Sequence, residues 1–168
     1  MHLDNSNIRR QDRICNDEAT LVSLLDRVPM IHVAMNDEIF PHVVPLSFGY
    51  EFVGEKLTFY FHGASSGRKV TLWKKDSHVA FSIVEPGPVH IVDSPVACRS
   101  GQDFLSILGQ GIIREVPLEK RQHAVEKIMQ RYSQDKNKTW NFPETALNAM
   151  GVFELEVTKM SAKRRHTS

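Results

Sequence analysis

Cysteine is nearly absent from this chain, Cys15 and Cys98 being the only two among 168 residues. Two thiols cannot build the dense disulfide framework of a small secreted domain, so the fold must rest on apolar packing. A reducing cytoplasm is the expected location. Long apolar runs are missing too: none approaches the roughly 20 residues needed to cross a bilayer. The opening MHLDNSNIRR has no apolar signal core, and no membrane is expected as a partner. Charge of one sign is also lacking. With 21 Lys and Arg against 20 Asp and Glu, the formal net charge is +1, too weak a field to gather nucleic acid along a whole face. Eight histidines are present, but they form neither a His-x-x-x-His helix pair nor a set with Cys-x-x-Cys. No metal site is expected from that spacing.

What is there reads as one domain, 17–160, between a polar leader, 1–16, and a basic, solvated tail, 161–168. Asp17 stands where it can cap a helix carrying Leu21, Leu24, Leu25 and Val28 at helical spacing. Segments 30–35, 42–50, 57–62 and 78–84 are dense in β-branched and aromatic residues and read as strands. Asp37-Glu38 and Val53-Gly54-Glu55 read as turns between them. In 57–62, a period of two puts Leu57, Phe59 and Phe61 on one face and Thr58, Tyr60 and His62 on the other, a face polar enough to meet a ligand. Segment 68–75 reads as a short helix, 85–102 as a long loop with a bent strand, and 104–116 as a core strand. Pro117 then opens a helix, and 152–157 alternates as a closing strand. Several strands follow one another through short turns, which excludes a parallel βαβ arrangement. The expected fold is mainly β with α, about six antiparallel strands in a barrel with a few peripheral helices.

The most informative stretch is Phe59-Tyr60-Phe61-His62-Gly63-Ala64-Ser65-Ser66-Gly67-Arg68-Lys69. A strand pattern passes through a small-residue loop into a helix that opens with two cations. Free N–H groups make a helix N-terminus partly positive, so Arg or Lys costs about 0.3–1 kcal/mol there. A bound anion reverses the sign. Arg68, Lys69, the free N–H groups and the Ser65 and Ser66 hydroxyls together suit a dianionic phosphate, which makes a phosphorylated cofactor the expected ligand.

Five pieces in this order resemble the flavin mononucleotide (FMN)-binding split β-barrel family related to pyridoxamine 5′-phosphate oxidase, in its nitroimidazole-resistance (Nim-type) branch. They are HVVPLSFGY at 42–50, LTFYFHGA at 57–64, Gly67-Arg68-Lys69, residues 98–111, and ELEVTKM at 154–160. The resemblance implies a homodimer with FMN at the subunit interface. Arg68 and Lys69 resemble the basic pair holding the FMN phosphate, with Ser65 and Gly67 in the same loop. His62, Gly63 and Ala64 resemble the strand end along the flavin. Pro45, Leu46 and Ser47 resemble the neighbouring strand that meets the ring system. Ser106 falls in 104–109, which resembles the dimer-side wall of the site. The Trp- and Arg-rich ending of the oxidases proper is missing, so vitamin B6 oxidation is not expected.

The expected activity is that of an FMN-dependent oxidoreductase passing electrons from a small-molecule donor to a small acceptor, a nitroaromatic among them. His62 is the candidate catalytic residue, because a neutral imidazole both donates and accepts. Two other readings stand beside this one. The chain would be a flavin-binding or sensing module without turnover, or a haem-binding relative.

Overall fold

Strand alternation builds the centre of this molecule. In β4 (Lys56–Gly63), Leu57, Phe59 and Phe61 all point one way and all are buried. The computed structural model describes residues 1–135 and 137–166, the side chain of Ala97 aside. The elements are α1 (Glu18–Arg27), β1 (Ile31–Met35), β2 (His42–Leu46), β3 (Gly49–Val53), β4, α2 (Arg68–Lys75), β5 (His78–His90), β6 (Gly101–Glu115), α3 (Leu118–Tyr132), α4 (Glu144–Ala149) and β7 (Gly151–Arg165). Among the described residues there are seven strands, not six, in one sheet of order β2-β1-β5-β6-β7-β4-β3. The extra strand comes from 42–50, which breaks at Ser47-Phe48 into β2 and β3. Every pairing is antiparallel.

Inside the curve of the sheet, Phe48 and Phe59 meet edge to face at 5.4 Å between ring centres, and Phe59 meets Phe81 at 5.2 Å. The apolar stripe of α1, Leu21, Leu24 and Leu25, fills the same core. Trp73 of α2 packs on Phe153 of β7 at 5.0 Å. The opposite face of β4 is not free to meet a ligand along its length, as the alternation had promised. Tyr60 is buried there in a second cluster under α3, with Ala124, Val125 and Ile128. Its hydroxyl donates to Glu51, which also takes His123 Nε2 at 2.9 Å.

The basic tail is not a solvated end. Residues 161–165 continue β7, with Lys163 opposite Ser106, Arg164 opposite Leu105 and Arg165 opposite Phe104. Its alternation includes Met160 and Ala162, both buried, and the intervening charges hide that pattern in the sequence. Residues 167 and 168 of the expected tail lie outside the described residues. The leader is likewise docked: Asp4 N–H donates to Met160 O, and Cys15 N–H to Ala162 O. Among the described residues no helix is long and apolar enough to cross a membrane.

Candidate functional site

The loop after β4 reaches α2 through Gly67, whose φ of 112° is a conformation that side chains disfavour. Gly67 caps α2 without a side-chain hydrogen bond, and the first helical bond runs from Thr71 N–H to Gly67 O. The N–H groups of Arg68, Lys69 and Val70 thus remain available at the positive end of the helix. The loop is held by close packing: a Cβ on Gly151 would lie 2.8 Å from Ala64 O and 3.0 Å from Ser65 Cα. Lys69 is half-buried, its Nζ 3.7 Å from where a Cβ on Gly63 would stand. It has no ion-pair partner among the described residues.

Arg68 differs from expectation. Its Nε donates to Asp37 Oδ2 at 2.8 Å and its Nη2 to the same oxygen. The Asp37 side chain is 11% exposed and that of Arg68 69%. The cationic helix opening is therefore partly offset within the protein, and the sign argument for an external anion rests on Lys69 and the N–H groups more than on Arg68. Asp37 was legible only as a turn residue. No local spacing links it to a cation 31 positions away.

A cleft of about 260 Å³ opens beside Arg68, walled by the 37–42 loop. Pro41 also borders a second cleft of about 410 Å³, floored by small or polar residues including Ala34, Ala80, Gln110, Gly111 and Thr158. The second cleft lies on the outer face of the sheet, since Ala34, Ala80 and Gln110 register side by side there. Exposed apolar residues surround the pair: Ile39 is 84% and Phe40 78% exposed. Just past its carboxyl end, α2 hands over to the same region through Asp76. Asp76 accepts from His78 N–H and from Asn36 Nδ2. These bonds, the backbone one foremost, lower its pKa to about 2.

The structure gathers Gly63, Ala64, Ser65, Gly67, Arg68 and Lys69 around the start of α2. Pro45, Leu46 and Ser47 lie on and just after β2, an edge strand, whose His42 end borders the smaller cleft. The free edge of β2 offers backbone groups to a ligand or another strand. His62 is exposed, but strand alternation turns its side chain to the face opposite Gly63 and Lys69. Ser106 shares the outer face with the larger cleft, yet stands five positions along β6 from Gly111, about 17 Å at 3.3 Å per residue. Within one chain it does not join the group around Arg68.

The sequence profile of the pyridoxamine 5′-phosphate oxidase family matches residues 17–164. The chain belongs to this family. No curated relative matches it. Among solved structures, a protein of Bacteroides thetaiotaomicron VPI-5482 described as a candidate 5-nitroimidazole antibiotic resistance protein superposes with a TM-score of 0.75 at 22% identity, covering 90% of this chain and 86% of that one. The FAD and haem binding protein from Mycobacterium smegmatis gives 0.76 at 18% identity, with 92% and 74% covered. A flavocytochrome from Azotobacter vinelandii gives 0.74 at 19%, with 95% and 72% covered. At these identities the likeness is one of fold, and the oxidase-family split barrel is the fold of this chain.

The residues at the start of α2 fit the phosphate of a flavin nucleotide. Three backbone N–H groups and the Lys69 ammonium have no competing acceptor among the described residues, and Ser65 and Ser66 are exposed beside them. Asp37 holds one edge of the Arg68 guanidinium, which leaves Nη1 and one hydrogen of Nη2 for an oxyanion.

Proposed function

We propose that this member of the oxidase family is an FMN-binding flavoprotein of the cytoplasm. It acts as a homodimer and as an oxidoreductase between a small-molecule donor and a small acceptor, nitroaromatics included. The observation that carries the reading is the uncapped start of α2, with Lys69 beside Gly63 and with Arg68, its first residue, on the wall of the smaller of two clefts that share Pro41. The flavin, when bound, would supply the electron-transfer chemistry. The chain's part is to bind and orient. Lys69, Arg68 and the α2 N–H groups hold the phosphate, and the edge of β2 from Pro45 to Ser47 lies within reach of the ring system. Dimerisation is supported by the exposed apolar residues Val43, Val84 and Leu108 of the outer face and Ile39 and Phe40 of the 37–42 loop. A partner seated there covers them, excludes water from the clefts, and brings a second copy of Ser106 toward the site.

Absorbance of the freshly purified protein, with mass identification of the released chromophore, tests the cofactor. Release of FMN is expected, and a colourless protein that takes up no added FMN would remove this reading. Turnover faster than that of free FMN, across donors and acceptors, tests the enzyme assignment. A second reading, flavin binding without turnover, is favoured by the position of His62, turned away from the cations. It would predict bound flavin that is not reoxidised at catalytic rates.

A further inference from the structure

The inner face of the sheet opens at its far end into a cleft of about 500 Å³ bordered by α1, β5, β6 and β7. It is remote from Arg68. Asp103, on its wall, stands eight positions along β6 from Gly111, about 26 Å at 3.3 Å per residue. At its centre is the Asp103 carboxylate, on a residue only 5% exposed. His90 Nε2 lies 2.9 Å from Asp103 Oδ2, and His166 Nδ1 lies 3.5 Å from the same oxygen. A buried carboxylate is costly unless hydrogen-bonded, so Asp103 pins the His90 ring through Nε2 and leaves its Nδ1 for another partner, while His166 stands farther off and exposed.

Three arginines line this cleft, Arg27, Arg164 opposite Leu105, and Arg165 opposite Phe104. Arg27 is neutralised by Glu85, with Nε to Oε1 at 2.8 Å and Nη2 to Oε2 at 2.6 Å. Arg164 and Arg165 have no hydrogen-bond or ion-pair partner among the described residues. Arg165 lies flat on Gly101, where a Cβ would overlap its guanidinium. A register shift in β5 between Pro86 and Val89 bends the strand at the rim, a device that re-aims chains beside functional sites. The remaining wall is apolar, with Pro86, Phe104 and Leu105. No group of three His, Cys, Asp or Glu side chains among the described residues is arranged to hold a metal ion. The unspent charge of the cleft is positive.

We propose that this cleft is a second ligand site, independent of the flavin site, for a small organic anion: an apolar body bearing a carboxylate or a phosphate group. Arg164 and Arg165 take the oxyanion with planar donor forks, His90 donates to it from Nδ1 when its ring carries both protons, and Asp103 is the positioning residue that fixes His90 through Nε2. The apolar wall receives the body of the ligand.

Benzoate and phenyl phosphate, with benzamide as the neutral control, are titrated into the full chain with and without saturating FMN. Calorimetry gives affinity, and the ring resonances of His90 and His166 report location. Saturable binding of the anions alone is expected, moving the His90 and His166 signals and persisting in the presence of FMN. Arg164→Gln and Arg165→Gln should each weaken it by about tenfold or more, with partial recovery in Arg164→Lys. Both side chains reach solvent, so unchanged melting temperatures are expected, and His90→Asn provides a further variant with the same expected loss. The stronger of the two probes assigns the head group as carboxylate or phosphate. No saturable binding of either anion, equal binding of benzamide, undiminished binding in the arginine variants, or displacement of the probes by FMN overturns the proposal. Binding to the flavin-free chain is measured separately, so failure here is distinct from failure of the flavin reading.

Discussion

The carboxyl end of α1 and the amino end of α2 face the same problem, backbone groups that their own helix cannot satisfy. At α1 the protein solves it internally. Arg131, from α3, donates to Leu25 O through Nε at 2.9 Å and to Val28 O through Nη2. Its guanidinium lies 3.9 Å from the centre of the Phe48 ring, while Tyr50 donates to Asp26 nearby at 2.7 Å. At α2 the loop supplies no side-chain cap, and the cations stand at the end that repels them. Both helices are short, and both bury one apolar face. The first terminus is satisfied within the fold; the second keeps its N–H groups unpaired among the described residues, with one of its two cations restrained by Asp37.

The sharpest way to break this contrast is Arg68→Ala with Lys69→Ala. Two charge-assisted bonds at about 1.5–3 kcal/mol each predict an FMN affinity lower by roughly a hundredfold or more, read by fluorescence quenching. The double variant should also lose some stability, because Asp37, whose side chain is 11% exposed, is left without Arg68, whereas Lys69→Ala alone should weaken FMN binding with the melting temperature almost unchanged. Arg131→Ala should do the reverse. Losing bonds to two carbonyl oxygens and the contact with Phe48 should cost about 2–3 kcal/mol in denaturant unfolding, with FMN affinity kept in the folded fraction. Gly151→Ala tests whether the open end depends on its support. The added methyl meets the backbone of Ala64 and Ser65, so a stability loss of about 1–3 kcal/mol is expected together with weaker FMN binding. The smallest effect concerns the carboxyl end of α2. Asn36→Ala should raise the Asp76 titration midpoint from about 2 toward its ordinary value, followed by carboxyl carbon resonances. The pKa of Asp76 is depressed in the fold, so its contribution to stability is present above the ordinary carboxylate range and is lost as pH falls through about 2.

The open terminus was legible because its signals are local. A strand period, a small-residue loop and a helix period follow directly in 57–75, and the expected helix 68–75 coincides with α2. The capped terminus was not legible, because Arg131 and Leu25 are joined only by the tertiary fold. The same holds for Asp37 and Arg68, and for His90, Asp103 and His166. Residues 161–165 misled for another reason. Lys163, Arg164 and Arg165, followed by His166, read as solvated, whereas strand pairing needs only backbone groups on both sides. In β4 the period of two was right, but periodicity cannot say that α3 would cover the second face.

The order of strands in the sheet carries a consequence for how the molecule comes into being. β7 sits between β6 and β4, so it is the seam joining β2-β1-β5-β6 to the β4-β3 hairpin, yet it is the last element along the chain. Segment 1–16 also waits for it, since Asp4, Ile14 and Cys15 all pair with β7 residues. During vectorial synthesis the two half-sheets must stand apart, with raw edges, until the ribosome has delivered the seam. Such distant pairing slows folding and leaves unpaired strand edges exposed until it is complete.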